Sequence, residues 1–474
     1  MSPGEALMWN VEKDPWLNPN AASVSFIEGS CDFELLKRWI AQMVADVPRL
    51  RERVQPGIGR LTTPTWVPDP EFDFGYHMRH LALPPPGSER QLLDLVGRLH
   101  QQPYDRTRPP WEIVAIDGLE ADQWALMFRL HHSIADGYGM GRLQERFMMR
   151  DPSRPPPEEV ALDALVADTV EKARQSHERP GAQFEEAARL VGEPAWNLSR
   201  WLTGEVVGAV RDPERVGRWA TTAQGLARMA ISQLRSSRDP NGQRAGSPLW
   251  TGRSGRRHIE LLRVPLAEAR NAGEALGGSL NDVFMTAMTN GAAAYHQAKG
   301  SPAVAFNTSF VVSTRTDSAE GGNSFTPLRV QVPGGPMSAL ERFRAIQERV
   351  TEQRQALTGG GLMGGLAAVV NLLPTRVTTQ TARRSAAHLD FATTNVRGAR
   401  VPRYVNGQRM LGTFAPGPVA GAAMIVSLIS YVDTMFVAFT IDPAAVEDPQ
   451  ALRDHVGEAF EELFELNQSS PAAV

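Results

Sequence analysis

The sequence predicts two α/β halves with mixed sheets, joined by a helical connector, and three observations predict it. A chain of 474 residues exceeds one ordinary domain and suggests two or three. Strand-like and helix-like segments alternate up to Arg150 and again from His258 to the end. Between them Pro152, Pro155, Pro156 and Pro157 break the chain, and a mostly helical pattern runs from Val160 to Leu234. The boundaries are therefore drawn at 1–150, 151–255 and 256–474.

Each element follows from local pattern. Ala22 to Ile27 mixes apolar and small residues and reads as a first strand. Phe33 to Val44 is an amphipathic helix with Leu35, Leu36, Trp39, Ile40 and Met43 on one side, stopped by Pro48. Gln91 to His100 is a second helix. Gln123 to Leu130 is a short apolar strand that ends at two histidines, and Gly137, Gly139 and Gly141 turn the chain after it. Ser236 to Arg257 is polar and rich in Gly and Arg, the composition of a loop. Val419 to Tyr431 is apolar but short and reads as a buried strand, not a membrane span. No short-period repeat is present.

Composition excludes several classes of function. Hydrophobic residues at 42% and charged residues at 22% are the balance of a globular protein. A net charge of −4 without a long basic stripe argues against nucleic acid as a partner. The single cysteine, Cys31, excludes an internal disulfide scaffold and a cysteine-rich metal site, and fits a reducing compartment. The first residues have neither a basic n-region nor an apolar h-region, so no signal peptide is expected and the chain reads as cytoplasmic.

The chemistry concentrates in His131-His132-Ser133-Ile134-Ala135-Asp136-Gly137. About one random chain in a thousand of this size would contain two histidines followed at this spacing by Asp-Gly. Acyl transfer to an alcohol needs a base to take the hydroxyl proton as oxygen attacks a thioester carbonyl. Histidine suits that task because its ordinary pKa lies near neutrality. No His-Glu-x-x-His pattern or cysteine cluster offers a zinc site, so no metal is expected.

This pattern resembles the signature of the acyl-CoA-dependent acyltransferases, a superfamily that includes chloramphenicol acetyltransferase-like enzymes and condensation domains. Further blocks narrow the resemblance to the bacterial wax ester synthase/diacylglycerol acyltransferases, nearly end to end. They are the start Met1 to Ala6, Phe72 to His80 continuing through Leu81 to Gly87, Asp105 to Glu112, Leu276 to Val283, Val312 to Arg315, Gly322-Asn323 and Thr394 to Gly398. The chain departs from the family pattern at Glu5, Pro110, Tyr138-Gly139 and Trp250 to Gly252, and its connector matches poorly.

The resemblance implies two chloramphenicol acetyltransferase-like halves with the active channel between them. It implies acyl-CoA as co-substrate, no bound cofactor, and diacylglycerol, a long-chain alcohol, or both as acceptor. It also suggests residence on the inner membrane face or on lipid bodies. A carrier-bound acyl donor and a non-catalytic lipid-binding role are the competing readings. Within this frame His132 is the general base and His131 supports it. Asp136 orients the base or holds the loop, with Arg315 as its candidate partner. Gly137 supplies backbone freedom or room for an acyl chain. Asp282 reads best as a helix cap with Ser279, whereas the Asn281 amide could face the channel. Thr394 and Asn395 are candidates to line the channel or hold an oxyanion. The small, apolar Gly359 to Pro374 stretch reads as a buried helix or as a surface that rests on lipid.

Overall fold

The computed structural model describes residues 1–14, 16–57, 63–177, 246–313, 325–357, 375–418 and 421–469. The connector from 178 to 245, Arg315, Gly322-Asn323 and the whole 359–374 stretch lie outside the described residues.

Two six-stranded mixed sheets form the molecule. The first half supplies α1 (Pro3–Val11), β1 (Asn20–Glu28), α2 (Phe33–Asp46), β2 (Glu52–Gln55), β3 (Thr65–Pro68), β4 (Met78–Ala82), α3 (Glu89–Gln101), β5 (Trp111–Leu119), β6 (Gln123–His131), α4 (Gly137–Gln144) and α5 (Leu162–His177). The second supplies β7 (His258–Pro265), α6 (Leu266–Ala275), α7 (Leu280–Ala298), β8 (Ala305–Ser313), β9 (Phe325–Pro333), α8 (Ala339–Leu357), α9 (Thr375–Ala387) and β10 (Phe391–Val396). It continues with β11 (Tyr404–Val405), β12 (Gln408–Phe414), β13 (Met424–Tyr431), β14 (Thr434–Ile441) and α10 (Pro449–Ser469). The strands expected at 22–27 and 123–130 and the helices expected at 33–44 and 91–100 are present with slightly longer bounds, and the strand expected at 419–431 is present but shorter, at Met424–Tyr431.

The first sheet runs β11-β12-β1-β6-β5-β4 and the second β7-β14-β13-β10-β8-β9. Thus β11 and β12, from the part of the chain read as the C-terminal half, belong to the first sheet. Strand β12 pairs antiparallel with β1, Val24 opposite Phe414. The reason is a packing one. A Cβ on Gly412 would lie 2.2 Å from the Phe436 ring of β14, so the bare backbone there lets the second lobe pack directly on a strand of the first. Such an exchanged strand has no period or motif of its own, and its partners are set by sheet register.

Strand β6 lies at the centre of the first sheet, antiparallel to both β1 and β5. All of it beyond Gln123 is buried, which is why its sequence is a continuous apolar run and not an alternation. Among the described residues no helix is long and apolar enough to cross a membrane.

Candidate active site

The motif begins where β6 ends. The His131 N–H donates to the Pro110 carbonyl at 2.9 Å, and the His132 N–H donates to the Pro19 carbonyl at 3.2 Å. Both neighbouring strands therefore hold the two histidine peptides. The Ile134 N–H closes the turn on the His131 carbonyl at 2.9 Å. Asp136 then caps α4, its Oδ1 accepting the Gly139 N–H at 2.8 Å. Of the two roles open to Asp136, holding the loop is the one this bond performs. Its expected partner Arg315 is outside the described residues.

The two histidines occupy different environments. His131 is fully buried and His132 only partly. The Ser133 backbone N–H donates to His131 Nδ1 at 3.1 Å, and Ser133 Oγ lies 2.6 Å from the same nitrogen. Nδ1 is therefore an acceptor, and the ring proton sits on Nε2. Nε2 faces Glu12 Oε2 at 3.6 Å, too long for a hydrogen bond. Burial first, then the adjacent His132 and Arg106, lower the His131 pKa to about 3. Its environment therefore favours the neutral ring at ordinary pH.

Beneath it lies a cluster that the sequence reading missed. Ser2 and Glu5 form a capping box that starts α1, so the departure at Glu5 preserves the cap. Helix α1 brings Trp9 edge-on to His131, ring centroids 5.1 Å apart, and places Glu12 just beyond. Arg106 Nη1 donates to Glu12 Oε2 at 2.6 Å, and its guanidinium lies 3.7 Å from the Trp9 ring centroid. Burial raises the Glu12 pKa, against the lowering pull of Arg106 and Arg129. Arg129, on β6, pairs with Glu112 at 3.0 Å. Nothing in linear spacing signals that Glu12 and His131 meet; the sequence shows only an acidic residue at the end of a short N-terminal segment.

Gly137 meets the second lobe. A Cβ there would stand 3.2 Å from Val396 Cγ2. Its backbone is not left-handed, so close approach and not conformational freedom is what favours glycine. Successive strand side chains alternate, so Thr394 shares the Val396 face of β10 and Asn395 points the other way. The structure thus brings Thr394 to the motif's side of the strand and separates it from Asn395.

The remaining candidates lie at the start of α7. Asp282 completes a capping box, its Oδ2 accepting from the Ser279 N–H at 2.8 Å and Oγ at 2.7 Å. Asn281, at the second helical position, is half-buried and makes no side-chain hydrogen bond among the described residues. The Pro-Pro-Trp block is structural: Trp111 donates from Nε1 to the Leu50 carbonyl at 2.7 Å and stacks on His77 at 4.4 Å.

Residues 1–284 match the family model of the wax ester synthase/diacylglycerol acyltransferase catalytic domain, and residues 321–464 match the model of its C-terminal domain. The chain belongs to the wax ester synthase/diacylglycerol acyltransferase family. A probable diacylglycerol O-acyltransferase of Mycobacterium tuberculosis, tgs1, is 27% identical over 458 residues, covering 94% of this chain and 91% of its own. The wax ester synthase/diacylglycerol acyltransferase of Marinobacter aquaeolei VT8 has a similar structure, with a TM-score of 0.64 at 18% identity over 99% of both chains. The first condensation domain of the calcium-dependent antibiotic synthetase matches at a TM-score of 0.55 and 16% identity, covering 100% of this chain and 97% of that one. These likenesses establish the two-lobed fold. The family establishes acyltransferase chemistry of the diacylglycerol and wax ester kind.

Proposed function

We propose that this family member transfers a long-chain acyl group from acyl-CoA to diacylglycerol, a long-chain alcohol, or both, with His132 as general base. The reading rests on the division of labour between the histidines. His131 is neutral, buried and committed to Ser133, which leaves His132 to act at the turn where Gly137 meets Val396. In the reaction His132 takes the acceptor hydroxyl proton while the oxygen attacks the thioester carbonyl. The tetrahedral intermediate collapses, the C–S bond breaks, and the imidazolium returns its proton to the departing coenzyme A thiolate. Products are the ester and free coenzyme A, and no acyl-enzyme forms. Thr394 is the proposed oxyanion donor. Asp136 keeps the turn in place through α4, and Asn281 is assigned a supporting part from the other lobe.

The test is coenzyme A release from palmitoyl-CoA by the full chain, with dioctanoylglycerol or hexadecanol as acceptor. Wild type should release coenzyme A only when an alcohol is present. His132→Ala should lose about 10²–10⁴-fold in kcat while melting at the wild-type temperature. Turnover that survives His132→Ala removes His132 as the base. Turnover from an acyl carrier protein but not from acyl-CoA replaces the donor. Lipid binding without turnover on either alcohol makes the chain a non-catalytic member.

A further inference from the structure

The segment Val396 to Tyr404 joins the two ends of α4. It leaves β10 at the Val396–Gly137 contact, and it arrives at Tyr404, which bridges to Met149 beyond the end of α4. Between them the sequence reads Arg397-Gly398-Ala399-Arg400-Val401-Pro402-Arg403, three arginines and no acid in a chain of net charge −4. Arg397 and Arg400 are exposed and join no ion pair among the described residues.

Arg403 differs from the other buried arginines. Among the described residues four arginines are less than a tenth exposed: Arg51, Arg129, Arg342 and Arg403. Arg51 donates to the Val44 and Ala45 carbonyls, Arg129 to Glu112 and Gln102, and Arg342 to the Pro333 and Gly335 carbonyls. Arg403 is 8% exposed, yet among the described residues no carboxylate or carbonyl takes its guanidinium; Nη1 is sealed without a partner, whereas Nε and Nη2 are not sealed. Its backbone is held, the N–H donating to the Tyr431 hydroxyl at 2.9 Å and the carbonyl accepting from Met410 at 2.8 Å. A buried cation without a counter-charge is costly, and an arriving anion would relieve that cost.

We propose that the Arg397–Arg403 loop is a phosphate-binding site for the nucleotide end of coenzyme A, with Arg403 as its anchor and Arg397 and Arg400 as its outer contacts. The inference rests on the acyl-CoA reading above and adds the place where the donor is gripped. Guanidinium groups bind phosphate oxygens in pairs, and coenzyme A carries a 3′-phosphate and a pyrophosphate. A loop that starts at the motif would hold that charged end outside while the thioester arm enters beside Gly137.

Anionic phospholipid headgroups offer the same phosphate chemistry, and Val401 is 46% exposed on this loop, so the test separates the two sources. Binding of coenzyme A and of 3′-dephospho-coenzyme A to the full chain is measured by calorimetry. Co-sedimentation with phosphatidylglycerol vesicles and the KM for palmitoyl-CoA are measured beside it. R397E/R400E should weaken coenzyme A binding by about tenfold and raise the palmitoyl-CoA KM by a similar factor, with the alcohol KM unchanged. Arg403→Gln should weaken binding further, and Arg403→Lys, which keeps the charge if Gln impairs folding, should restore part of it. Wild-type coenzyme A affinity in folded R397E/R400E, with palmitoyl-CoA turnover intact, overturns the site and leaves the donor standing. Loss of vesicle binding with coenzyme A binding retained assigns the loop to a lipid surface and also overturns it. A wild type that neither binds coenzyme A nor turns over palmitoyl-CoA overturns the donor reading itself, and the site with it.

Discussion

Behind the motif, buried ionisable side chains face one another: His131 toward Glu12, Glu12 on Arg106, Arg129 on Glu112. At the entry to the second lobe backbone donors predominate, with Arg257 beside Asp442 at 3.3 Å as a charged partner. Asp390 accepts the N–H groups of Gly246, Ser247 and Asn307 at 2.9, 3.1 and 2.7 Å. Asp442 accepts from the N–H groups of Ser254 and Ala444 and from the Ser254 hydroxyl. Both oxygens of each aspartate are engaged, whereas Glu12 Oε1 and His131 Nε2 have no hydrogen-bond partner among the described residues. Backbone donors come with the fold and saturate a carboxylate. Side-chain partners leave orphaned atoms but adjust the electrostatics of what lies above them. The second arrangement ties distant chain segments together; the first lies directly behind the motif histidines.

The largest test of this contrast is acid. Burial lowers His77 and His100, both in the first lobe, to about 4, as it lowers His131 to about 3. The unfolded chain therefore takes up protons that the folded lobe refuses. Stability is fully present above about pH 6.5 and is lost as pH falls from there toward 4, by about 2 kcal/mol per histidine at pH 5. Hydrogen exchange corrected for intrinsic rates should show β5 and β6 losing protection at pH 5 before β13 and β14 do. Simultaneous loss in both lobes breaks the contrast.

Asp390→Asn comes next. It replaces a carboxylate that only accepts with an amide that puts an NH₂ among three donors, and should cost about 3 kcal/mol of stability. Turnover per folded molecule should stay near wild type at a temperature where the variant remains native. A large fall in kcat without a fall in melting temperature would move Asp390 into the site.

Gly137→Val forces a branched side chain against Val396. It should lower kcat/KM by about 30-fold, and Val396→Ala in the same chain should recover part of the loss. Absence of rescue would mean that the contact between the lobes does not set the width there. The smallest expected effect is Glu12→Gln. The amide still accepts from Arg106 but removes a negative charge near the histidine pair. The acid limb of the kcat profile should move to lower pH, because a nearby carboxylate favours the protonated imidazole. An unmoved limb with a lowered melting temperature would reduce Glu12 to packing.

Periodicity and motif together were enough to place β1, α2, α3 and β6, to set two histidines at a strand end, and to read Ser279 with Asp282 as a helix cap. Each rests on neighbours in sequence: an apolar stripe, a run bounded by turns, a cap three residues from its partner. The contacts of long sequence separation were not legible. Glu12 under His131, Val396 against Gly137 and β12 inside the first sheet depend on chain closure and register, and no local preference encodes them. Thus the sequence by itself determined the family, the elements and the identity of the motif. Only the tertiary structure decided which histidine is buried and held neutral, that Gly137 stands against Val396, and that Arg403 lies buried without a counter-charge among the described residues. Those properties belong to burial and to partners brought from elsewhere in the chain, and both exist only once the chain has folded.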